Sequence, residues 1–229
     1  MTENSLKTEC DRCGTCCEKG GPALHQEDRV LLQENWLNPD HLITIRKGEP
    51  VFSLDSKDPA PAQSELVKIK GKGSTWTCIF FQENEASCSI YEHRPLECSL
   101  LKCWDTLALE KVSGRNLLSR YDIIAPYDPV LPFIKTHEEK CSLDKLDLLF
   151  SELSSEDTQN QAITLLTTLV NTDLSIRSQA YTKFHFSLDL ELFYFGRPLF
   201  KILEQFGIKT HEKNGNCILS LQSSFVKWA

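Results

Sequence analysis

The chain predicts a helix-dominated α+β protein: a loop-rich, cysteine-organised N-terminal domain with short strands, followed by a helical C-terminal region. Three observations carry this. Eight cysteines fall before Trp104, and beyond Cys141 only Cys217 remains. Short apolar stretches broken by Gly and Pro fill the first half, as strands and turns do. Beyond residue 140, apolar residues recur at helical spacing in long runs.

Taken in order, the segment from His25 to Leu37 places Val30, Leu31, Leu32, Trp36 and Leu37 on an approximate helical stripe, which Asn38-Pro39 would end. Ser53 to Leu66 is rich in Pro, Ala and Ser without a period, and reads as a loop leading into a strand at "LVKIK". Gly71 to Gly73 turns the chain into a second strand at Thr75 to Phe81. The "GKGST" there lacks the order of a phosphate loop, because Gly73 separates the lysine from the hydroxyl residue; a hairpin turn accounts for it. Ala125 to Pro132, with prolines at 126, 129 and 132, reads as a linker. Ser142 to Leu153 has a capping serine and spaced leucines, and Ser154 to Val170 opens on the start signal Ser-Ser-Glu-Asp. Ser187 to Gly207 predicts one or two helices interrupted at Gly196-Arg197-Pro198, and Asn214-Gly215 marks a hairpin. The expected division is a cysteine domain at 1–105 and a mostly helical region at 106–229.

At 229 residues with 41% apolar content, the chain can bury a core of its own, so ten cysteines call for a chemical explanation rather than staples. The N-terminus has no apolar run of secretory length, and no 18-residue uncharged apolar stretch occurs, so the expectation is a soluble, cytoplasmic protein with no membrane partner. In a reducing cytosol, clustered cysteines serve as ligands or redox groups. A net charge of −7 argues against nucleic acid as a partner.

The cysteines fall into two groups: Cys10, Cys13, Cys16 and Cys17, then Cys78, Cys88, Cys98 and Cys103. Two-residue spacing turns both sulfurs inward around one ion, and Gly14 eases that turn. The x2-x2 run also opens a ferredoxin-type cluster loop. Adjacent side chains ordinarily diverge, so Cys16 and Cys17 are expected to serve two centres, or one of them none. Nine-residue steps cannot gather Cys78, Cys88 and Cys98 locally, so the two groups are expected to share ligands in space. All eight are candidate metal ligands, and all-thiolate coordination admits either zinc or an iron-sulfur cluster. Cys141 and Cys217 read as small buried hydrophobes. His137 and Cys141 share a helical face, but no second ligand pair lies near them in sequence.

"CDRCGTCCEKGGPALHQEDRVLL" and "CIFFQENEASCSIYEHRPLECSLLKC" together resemble the YkgJ-like cysteine-cluster family of zinc- or iron-chelating domains, over about the first 105 residues. Glu27-Asp28, Cys88 to Tyr91 and Arg94-Pro95 with Cys98 fall where that family has them; "SLLKCWD" departs from its pattern, which makes Cys103 the loosest match. The resemblance implies metal or iron-sulfur binding, and the same domain occurs in flagellin lysine N-methylases. Three functions follow: a redox or electron-transfer module, a structural zinc domain that binds a protein partner, or a protein-modifying enzyme. No catalytic residue stands out for the last. Pro95 suits a helix start that presents Cys98, and Arg94 is placed either to offset thiolate charge or to pair with Glu92 or Glu97; His93 reads as a solvated loop residue.

Overall fold

The computed structural model describes residue 8 and residues 10–52, 59–73, 75–144 and 146–222. With 47% helix against 17% strand, the protein is a helix-dominated α+β chain. Its contacts divide it into two compact units, Met1–Leu42 with Val67–Leu118, and Ile43–Leu66 with Ser119–Ala229.

Helix α1 (Thr15–Glu18) starts from Gly14, whose φ of +80° a side chain would strain; a Cβ there would also collide with the Phe81 ring. A 3-10 turn at Gln26–Asp28 runs into α2 (Arg29–Gln33). This helix is shorter than its apolar pattern predicts, because Asn35 takes a left-handed conformation and closes it. Asn38-Pro39 instead opens the next 3-10 turn, Pro39–His41. Strand β1 (Leu42–Ile45) is fully buried, β2 (Pro50–Val51) pairs antiparallel with β3 (Ala60–Pro61), and β4 (Leu66–Ile69) lies in the predicted strand. Residues 53–58 of the predicted loop lie outside the described residues. The strand expected at Thr75–Phe81 reduces to a single bridge between Gly71 and Cys78, followed by β5 (Phe81–Gln82) paired with β6 (Ser87–Cys88). Helices α3 (Leu96–Leu100), begun after Pro95, and α4 (Leu107–Val112) complete this half.

The C-terminal half is built from α5 (Leu131–Lys140), α6 (Leu146–Leu153), α7 (Glu156–Phe184), α8 (Leu188–Phe195) and α9 (Leu199–Glu204), then the hairpin of β7 (Ile208–Lys213) and β8 (Asn216–Leu221). The prolines read as a linker feed straight into α5, with Pro132 in its first turn. The break at Gly196-Arg197-Pro198 separates α8 from α9, and Asn214 and Gly215 both take positive φ, as a type I′ hairpin requires. Phe150 and Leu153 of α6 pack with Leu166 and Val170 of α7, Ile202 of α9 and Leu219 of β8. Each such side chain contributes about 1.5–3 kcal/mol by burial.

The buried stripe of α7 runs Ala162, Leu166, Val170, Asp173, Arg177, Ala180, so two charged residues occupy core positions. Arg177 answers for both: it donates to Asp173 (3.0 Å), to Glu191 (3.0 Å), and to the carbonyls of Phe195, Gly196 and Arg197 that end α8. Arg197 pairs with buried Glu49 at 2.6 Å, and Arg46 donates Nη1 to the Cys141 carbonyl at 3.1 Å. Burial would raise the Asp173 carboxyl, but Arg177, the His137 hydrogen bond and Arg46 hold it well below the carboxylate range. Burial lowers His137 to about 4 in spite of Asp173, with Arg46 and Arg177 adding to the effect. Burial likewise pushes the Cys141 thiol up to about 11.

Candidate metal centre

Within the first unit, the two cysteine segments meet through backbone before they meet through sulfur. The Cys78 amide donates to the Cys17 carbonyl at 2.8 Å. The Cys16 and Cys17 sulfurs lie 3.9 Å apart, so the divergence expected of neighbours does not occur. Both residues lie in the short helix α1, which starts from Gly14.

Five thiols act on one another electrostatically. The Cys17 thiol is pushed far up by its hydrogen bond with Cys16, by burial, and by the charges of Cys16, Cys78 and Cys98. The same bond holds Cys16 low, at about 6. Burial raises Cys98, and Cys78, Cys88 and Cys16 raise it further. Burial and Cys88 raise Cys78, while Lys68 and Lys72 pull it down. Such mutual repulsion is what a bound cation relieves. Cys16 is exposed, Cys17, Cys88 and Cys98 are half-buried, and Cys78 is buried.

Cys10, Cys13 and Cys103 are exposed. Cys10 accepts from the Arg12 amide (3.4 Å), Cys13 donates to Thr15 Oγ1 (3.4 Å), and Cys103 sits in the turn bridged by Lys102 and Asp105. Cys141 is buried and Cys217 half-buried, both in the other unit.

A reciprocal carboxylate clasp fixes α3, and with it Cys98, against the first segment. Buried Asp28 accepts from the His25 amide through one oxygen and from the Leu96 amide at the start of α3 through the other, both at 2.8 Å. Glu97 reaches back to the Ala23 amide (2.9 Å) and His25 Nε2 (3.3 Å). Each segment therefore caps orphan donors of the other. The sequence offered Glu97 only as a pairing partner for Arg94 and Glu27-Asp28 only as a match to the family pattern, and neither tells which distant helix Asp28 also caps. Arg94 stacks over Tyr91 at 3.6 Å with Arg12 at 5.2 Å from the same ring, and His93 stacks on Trp36 at 3.5 Å rather than standing in solvent.

Residues 9–116 match the family model CxxCxxCC, described as "Putative zinc- or iron-chelating domain". That stretch is similar to this cysteine-cluster family and spans just under half of the chain; helices α5 to α9 lie outside it. Searches of curated proteins and of solved structures find no match. Among the described residues, no helix is long and apolar enough to cross a membrane.

Proposed function

We propose that the N-terminal domain is organised by a metal ion held jointly by its two cysteine segments, with Cys16, Cys17, Cys78 and Cys98 as the inner thiolates and Cys88 beside them. The observation that carries this is the 3.9 Å separation of the Cys16 and Cys17 sulfurs. Bonds of about 2.3 Å in a tetrahedron place neighbouring thiolates about 3.8 Å apart, so both sulfurs suit one ion. That geometry favours a single zinc or iron ion over a cubane cluster, which takes one cysteine per iron. Four thiolates around a divalent ion leave a net negative charge, which Lys68 and Lys72 offset beside Cys78. Cys10, Cys13 and Cys103 supply the further thiolates available to a second centre. The domain then serves as a metal-folded module for a protein partner.

A second reading, a redox or electron-transfer module, draws support from the exposure of Cys16, since a centre that exchanges electrons must lie near the surface. One experiment separates the two. Protein purified without oxygen is assayed for zinc, iron and sulfide and scanned in the visible, together with Cys16→Ser and Cys17→Ser. Colourless protein with stoichiometric zinc, lost in both variants, supports the structural reading. Iron with a reversible visible signal supports the redox one, and metal content unchanged in either variant refutes the shared ion.

A further inference from the structure

The second unit holds a donor set that the cysteine domain does not use. His137 on α5 and Cys141 at its end are four residues apart and share a face, and Asp173 on α7 lies opposite. All three are 0% exposed, and one ring nitrogen of His137, the Cys141 sulfur and one Asp173 oxygen lie within 4.8 Å of one another. The Asp173 carboxylate is already saturated: one oxygen takes His137 Nε2 at 2.5 Å and Arg177 Nε at 3.0 Å, and the other takes the Leu199 amide at 3.0 Å. It therefore orients the imidazole rather than offering a ligand, in the carboxylate–histidine arrangement common behind metal sites. With the Nε2 hydrogen given to Asp173, the lone pair of His137 is on Nδ1. That atom is buried and has no hydrogen-bond partner among the described residues. A buried acceptor left unmade costs about 1–3 kcal/mol, and the soft Cys141 thiol belongs to the same buried group.

Charge selects the ion. Three guanidinium groups are buried in this region: Arg177 pairs with Asp173 and Glu191, Arg197 pairs with Glu49, and Arg46 donates Nη1 to the Cys141 carbonyl. A divalent ion that ionises one thiol would add net positive charge to a sealed region that already holds three guanidinium groups. A monovalent ion that replaces the thiol proton adds none. Among metals, sulfur with imidazole suits copper(I).

We infer that Cys141 Sγ and His137 Nδ1 form a second metal site, separate from the N-terminal cysteines, which takes a monovalent thiophilic ion of the copper(I) class, with Asp173 as the residue that positions the imidazole. Binding forms the metal–sulfur bond as the Cys141 S–H bond breaks, the proton leaves to solvent, and no electron is transferred.

The test uses the full chain, zinc-loaded and labelled with 15N-histidine, titrated with silver(I) as a redox-inert probe and followed by NMR. His137 is assigned by the signal missing from His137→Gln. The expected result is a shift of its Nδ1 resonance with a one-bond silver coupling, while its Nε2 hydrogen stays bonded. The response should vanish in Cys141→Ala, or in the volume-keeping Cys141→Val should the alanine variant unfold. An unmoved His137 resonance, as a buried water would leave it, overturns the inference. So does a response that survives loss of the thiol. Because the readout is at His137, it stands or falls apart from metal content at the N-terminal cysteines.

Discussion

Replacing Asp28 by Ala should unfasten the cysteine domain. The carboxylate serves the buried His25 amide and the part-buried Leu96 amide through separate oxygens at 2.8 Å each, and the residue is 4% exposed. Each amide left without a partner costs about 1–3 kcal/mol. Burial raises the Asp28 carboxyl, and the two amides only partly reverse this. Desolvation of the ionised carboxylate thus offsets part of the gain, and the loss belongs at about 3 kcal/mol rather than the upper bound. Asp28→Asn keeps one accepting oxygen and turns an NH2 toward the other amide, so about half or more of that loss should remain. If metal binding is coupled to folding of this unit, about 3 kcal/mol appears as about a hundredfold weaker apparent affinity, since about 1.4 kcal/mol is tenfold. Urea unfolding of the zinc-loaded protein and competition with a chromophoric chelator measure the two quantities. Midpoint and affinity both unchanged in Asp28→Ala would refute the clasp.

Gly14→Ala should weaken metal binding tenfold or more in the same competition assay, because φ is +80° and the new methyl meets the Phe81 ring. Chelation should speed amide exchange across α1, α3 and the Cys78 amide while α7 keeps its protection, since metal binding supplies folding free energy only where the ligands are; uniform behaviour along the chain would count against a metal-organised domain. Arg177→Met should cost about 3–5 kcal/mol in thermal unfolding of the C-terminal unit, by stranding Asp173 and the carbonyls of Phe195, Gly196 and Arg197. Gly215→Ala should cost only about 1 kcal/mol, since its φ of +75° strains a side chain but nothing lies within 4 Å.

Local chemistry is what the sequence by itself determined. The hairpin at Asn214-Gly215, the break at Gly196 to Pro198 and the helix after Ser-Ser-Glu-Asp depend on a few adjacent residues whose backbone preferences are strong, so they were legible without neighbours. The cysteine-cluster domain was equally plain, because thiol spacing is a sequence property. Tertiary structure decided the rest. Whether Cys16 and Cys17 diverge or converge was settled only in the folded chain, which brings their sulfurs to 3.9 Å. That Asp28 caps a helix 68 residues away, and that Asp173 joins His137 and Cys141, no periodicity could reveal. Charged residues on the apolar stripe of α7 were the one trace: a buried charge must find its partner, and the partner is chosen by packing between helices rather than by spacing along the chain.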